Sequence, residues 1–240
     1  MLLDAARSAA AAGDHAEAVV LAEELLEELP GDIDALLIVA DSAPRYGHGE
    51  VGILAALQAA AGGAETGAVE AAARLSACDV EGALAVADGS LARHPDDARA
   101  HAVRGQALEL LGRLQEGEAA LARAAELWPE HYPRALDVPD HSWDPLLLAA
   151  RSGMDPALRD ALRNVDLRFE ELPDLGLLRG LSPPPSPLVD GLVLDPDARR
   201  PTLELYRRNL RRGSESLDRI EERIRDALEN EAAVLMEERA

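Results

Sequence analysis

A proline-punctuated turn recurs along the first half of the chain as LPGDIDA, HPDDARA and WPEHYPR, and its spacing restricts the fold more than any other feature. Pro95 and Pro129 stand 34 residues apart, and Pro30 to Pro95 covers 65, close to two such units. A fixed period of this length marks stacked supersecondary units, because a single helical pair cannot bury its own apolar face. Between the turns the sequence is rich in alanine and poor in aromatics and β-branched runs, which favours helices packed through small side chains. Residues 1–135 therefore read as an all-α repeat domain of about four helix pairs.

The most regular unit runs from Ala98 to His131, with small residues at Gly105, Gly112 and Ala124 and a closing Pro129. Earlier in the chain, Gly13 and Ala18 fall at matching offsets from Pro30, and Gly47 takes the inter-helix turn of the second unit, where Pro44 is expected to shorten the preceding helix. These positions resemble the tetratricopeptide repeat (TPR), although Gly117 stands where that family usually has alanine and large aromatics are missing. The resemblance implies a TPR-like solenoid whose groove takes a protein or peptide partner.

The formal net charge is −21, and the chain contains no lysine. Residues 1–135 carry 9 arginines against 23 acids, a net −14, so the acidity is concentrated in the repeats. Such a surface repels phosphate backbones and argues against nucleic acid as a partner. No apolar run is long enough to span a membrane, and the first residues are acidic where a secretion signal is basic, so a soluble, cytoplasmic protein without membrane contact is expected. The single cysteine, Cys78, excludes an internal disulfide and reads as a small buried side chain in a helical segment.

Near residues 131–140 the pattern changes, and residues 136–240 read as a small α+β domain, making the chain α+β overall. Met154 to Arg163 suggests a short helix. Val165, Leu167 and Phe169 alternate with charged residues as in a half-buried strand, and GLVLD and TLELYRR supply two more. SPPPSP, from Ser182 to Pro187, must be a stiff loop. A last helix, capped by Ser214 or Ser216, carries an apolar stripe of Leu217, Ile220, Ile224, Ala227, Leu228, Val234 and Leu235, with Glu231 set inside it. A carboxylate in that position requires a partner.

The runs RNVDLRFEELPD, GLLRGLSPPPSP and TLELYRRNLRRGSESLDRIEERIRDALENEAAV resemble the minimal bacterial zincin-like metallopeptidases. Leu205, Tyr206 and Arg207 match that family's LYR strand, and the last helix stands where the family carries HExxH. HExxH works because two histidines at i and i+4 bind zinc on one helical face while the glutamate deprotonates the metal-bound water. Here the corresponding residues are NEAAV: Asn230 and Val234 replace the ligands, and only Glu231 keeps the general-base position. The resemblance thus implies a zincin-like module without its zinc, expected to have no cofactor and no catalytic residue. Arg207, Arg208, Arg211 and Arg212 form a basic group that could receive an acidic segment. The expected function is a non-catalytic adaptor; the alternative is a zinc-dependent metallopeptidase whose site around Glu231 is completed in some other way.

Overall fold

The computed structural model describes residues 1–182, 184–196 and 198–238, excepting the side chain of residue 238. Eight helices come first: α1 (Leu2–Ala12), α2 (His15–Glu28), α3 (Ile33–Ser42), α4 (Gly49–Ala61), α5 (Gly67–Ser76), α6 (Val80–Arg93), α7 (Ala98–Leu110) and α8 (Leu114–Leu127). They are followed by α9 (Trp143–Gly153), α10 (Pro156–Ala161), β1 (Asp166–Glu170), α11 (Leu175–Gly180), β2 (Gly191–Leu194), β3 (Thr202–Tyr206), α12 (Arg207–Arg211) and α13 (Leu217–Glu238). The chain divides into two compact units, one of residues 1–132 with 174–187, the other of 133–173 with 188–240.

In the first unit α1–α8 form four consecutive pairs. Each pair turns on one left-handed residue: Gly13 (φ 84°), Gly47 (φ 97°), Cys78 (φ 62°) and Gly112 (φ 77°). The N–H following each of them bonds back five residues, as Asp14 to Ala9, His48 to Ala43, Asp79 to Arg74 and Arg113 to Leu108. This is the closure by which a helix C-terminus satisfies its last carbonyls. The four turns lie 34, 31 and 34 residues apart. Three are glycine because a Cβ in this conformation costs roughly 1–2 kcal/mol. Cys78 accepts that strain, and it lies in the turn rather than in a helix as its alanine-rich surroundings suggest.

Helix starts follow from short acids. The side chains of Asp14, Asp32, Asp79 and Asp97 accept the N–H groups of Glu17, Ala35, Gly82 and Ala100 at 2.9–3.1 Å. Pro44 ends α3 at Ser42 and converts the next four residues into a 3-10 turn. The α7/α8 crossing is close because both contact positions lack a side chain: a Cβ on Gly105 would lie 2.6 Å from Leu121 Cγ, and one on Gly117 2.9 Å from the Gly105 carbonyl.

The second unit is built on a three-stranded sheet in the order β1-β3-β2, with β3 parallel to β1 and antiparallel to β2. Central β3 is buried along four of its five residues, whereas β1 alternates as its sequence does. Trp143, Leu146, Leu203, Leu205, Ile224 and Leu228 lie in the core, joining α9 and α13 to the sheet.

Several local expectations change. Arg207 and Arg208 open α12 instead of extending the last strand, and the short helix after Met154 covers only Pro156–Ala161. Ser216 is the residue that caps α13, its Oγ accepting Arg219 N–H at 3.2 Å; Ser214 Oγ instead donates to the Leu210 carbonyl. Leu217 and Val234 are 42% and 47% exposed, so the buried stripe of α13 excludes both and includes Ala232. Residues 174–187, expected with the second domain, pack with the first unit; of the proline loop, Pro183 lies outside the described residues.

Candidate functional site

Within the first unit, α1, α3, α5 and α7 are successive neighbours and form one face of the array. A charged cluster sits on it. Asp41 lies near the end of α3, and the 3-10 turn set by Pro44 brings Arg45 back to it, with Nε donating to the Asp41 carbonyl at 3.2 Å and Nη2 3.5 Å from the carboxylate. Arg99, at the capped start of α7, reaches the same carboxylate at 2.5 Å. This pair links the second helix pair to the fourth. Burial alone would raise the Asp41 carboxyl, but the guanidiniums of Arg99 and Arg45 overcome it and hold the group below its ordinary value.

Tyr132 lies close enough to Arg99 and Arg45 to feel both charges, while burial pushes its phenol upward. The preceding Trp128 is 44% exposed and stacks on His131 at 3.8 Å, with Tyr132 edge-on at 6.1 Å. Two guanidiniums thus share one carboxylate beside accessible aromatic surface, in a domain that is otherwise strongly acidic. Such a combination suits recognition of a protein segment. His15 Nδ1 lies 3.4 Å from Ser42 Oγ, but Ser42 is fully buried and cannot meet a substrate.

In the second unit Glu231 is half-buried, and its carboxylate accepts the N–H of Val193 at 2.8 Å. Tyr206 N–H bonds to the Asp190 carbonyl, so with the β2–β3 register the Val193 N–H points away from β3, toward the free edge of β2. Glu231 therefore closes a strand edge. Asn230 and Val234 are exposed on the α13 surface. Among the described residues no group of three or more His, Cys, Asp or Glu side chains is arranged to hold a metal.

The four arginines proposed as a basic site have partners inside the second unit. Arg207 Nη1 lies 3.6 Å from both Asp140 and Glu171, and its guanidinium is 5.6 Å from the rings of Trp143 and Phe169. Arg208 lies 3.6 Å from Glu171, Arg211 donates to the Leu136 carbonyl at 2.8 Å, and Arg212 donates to Asn209. Nearby, Glu204 is buried on β3, accepting Arg168 and the Tyr206 hydroxyl. Burial and the Glu204 charge raise the Tyr206 phenol, which stays protonated as a donor.

The Asp41, Arg45, Arg99 and Tyr132 cluster was not legible as a site, because its members are spread over some ninety residues and carry no motif. The only sequence signal is arginine recurring at helix ends in an acid-rich region.

No protein-family model and no curated protein matches the chain. Among solved structures, a crystal structure of MamA is similar at 14% identity, covering 52% of this chain and 74% of that one, with a TM-score of 0.43. A structure designated MamA MSR-1 is similar at 21% identity, covering 53% and 75%, with a TM-score of 0.44.

Proposed function

We propose that the chain is a non-catalytic interaction scaffold in which a TPR-like array binds a segment of a protein partner along the α1, α3, α5 and α7 face. The observation that carries this reading is the Asp41–Arg99 pair with Arg45 beside it, which places two guanidiniums on that face of an acidic array, within reach of the Tyr132 phenol. An acidic or carboxylate-bearing portion of the partner competes with Asp41 for the two arginines, and Trp128 and Tyr132 supply apolar contact. Affinity capture with the full chain tests it: Arg45→Glu should lose the partner and Arg45→Lys should largely retain it. Equal recovery by wild type and Arg45→Glu would remove this face from the account.

The second unit, in this reading, is a zincin-like module without metal. Supporting it are the order of strand, LYR segment and long final helix, and the absence of imidazole at Asn230 and Val234. Elemental analysis after addition of excess Zn²⁺ should give far less than one zinc per chain. One tightly held zinc would favour the metallopeptidase alternative.

A further inference from the structure

Residues 174–187 enter and leave through the sequence of the second unit yet pack with the first. Asp174 starts α11 by accepting the N–H groups of Gly176 and Leu177 at 2.7 and 3.1 Å. The helix then presents two consecutive residues of different character. Leu178 is 1% exposed, and the Arg179 guanidinium pairs with Glu81 in the first turn of α6, close enough to Cys78 for its charge to act on the thiol. Leu177 and Leu181, on either side, remain substantially exposed.

The place where Arg179 docks is also the place where the repeat departs from its own pattern. The other three inter-helix turns carry glycine at the left-handed position, whereas the α5/α6 turn carries Cys78. Added Cβ atoms at Gly13, Gly47 and Gly112 would meet nothing within 4 Å, so those turns are open, while Cys78 is 4% exposed. An acid in the first turn of the following helix is common to all four turns, as Glu17, Glu50, Glu81 and Glu116, so it is the buried side chain of Cys78 that sets the α5/α6 turn apart where α11 docks.

We propose that the α5/α6 turn is a docking surface for a short helix presenting leucine followed by arginine, and that the chain's own 174–187 segment is its ligand, seated reversibly as a strap over Cys78. The ligand class is defined by complementarity: an acid at Glu81 for the guanidinium, beside the buried Cys78, with the adjacent leucine removed from water. One exposed ion pair and one buried leucine are a small contact beside the packing of the array itself, so the strap opens locally without unfolding the array. The inference is independent of which partner the α1, α3, α5 and α7 face binds.

Because Cys78 is the only cysteine, alkylation of the full chain by a maleimide reports this position alone. Wild type should react slowly and at a rate independent of protein concentration. Arg179→Glu places like charges together and should react about tenfold faster or more. The reversed pair, Arg179→Glu with Glu81→Arg, should return toward the wild-type rate. Excess synthetic peptide spanning Leu172–Ser182 should slow the reaction of the Arg179→Glu chain. Arg179→Ala, a milder change, should show intermediate acceleration, and circular dichroism must show unchanged helix content for a rate to be read. Equal rates in all chains, no recovery in the reversed pair or no protection by the peptide would overturn the proposal. A wild-type rate that falls as protein concentration rises would assign the cover to a second copy and overturn it as well.

Discussion

The carboxylate of Glu231 accepts the backbone N–H of Val193 at 2.8 Å, tying α13 to the edge of β2 that β3 leaves free. An open strand edge is a template for unwanted pairing, and a carboxylate that occupies its N–H blocks it. The one acid set within the apolar stripe of the last helix is thereby explained without catalysis. Glu231→Gln keeps an acceptor oxygen and should change stability by less than about 0.5 kcal/mol, whereas Glu231→Ala should cost about 1–2 kcal/mol by leaving the donor unmet. Urea denaturation of the two variants checks this; a general base would instead make the glutamine variant the inactive one in any hydrolytic assay.

Glycine-to-alanine changes should separate two kinds of position in the array. In an exposed helix interior the change normally stabilises by about 1 kcal/mol. Gly105→Ala should instead destabilise by about 1–3 kcal/mol, because its Cβ would meet Leu121 Cγ at 2.6 Å and the Gly117 carbonyl at 2.9 Å. Gly112→Ala meets no atom and should cost about 1 kcal/mol through its φ of 77° alone. Thermal unfolding of the two variants resolves the difference.

Acid should loosen the link between the second and fourth helix pairs. The Asp41 carboxyl lies below its ordinary value of 3.8 in the folded protein, so its contribution is complete above that pH and is lost as pH falls through the lower folded value. Asp41→Asn should lower stability near neutrality by about 1 kcal/mol and flatten the loss of stability below pH 3.8. Denaturant midpoints of wild type and variant, measured from pH 7 down to the acid limit, give both quantities.

Removing the Tyr206 hydroxyl should leave Glu204 with less than its full set of donors. Tyr206→Phe preserves the buried ring and deletes the 3.2 Å hydrogen bond to Glu204, a loss expected to cost about 1 kcal/mol. Equilibrium unfolding measures it.

What the sequence disclosed was local. Proline spacing located the repeat turns and alternation located β1, because each of these signals acts within a few residues; the capping aspartates Asp14, Asp32, Asp79 and Asp97 were not read as helix starts. Cys78 escaped as a turn residue since nothing marks a non-glycine side chain as left-handed; only its 34-residue distance from Gly112 does. Helix α9 was missed because Pro145 lies in its first turn, where proline is tolerated but reads as a breaker. The arginines after β3 looked free because their partners Asp140, Glu171 and the Leu136 carbonyl are dozens of residues away. The same distance hid the Asp41–Arg99 pair and the placement of residues 174–187 with the repeats.

The interaction face itself is tested most directly by hydrogen exchange of the full chain with and without a captured partner. The account predicts added protection in α3 through Arg45 and at the start of α7 around Arg99, with little change around Asn230 to Val234. Protection confined to residues 133–173 and 188–238, with the α3 and α7 segments unchanged, would contradict it.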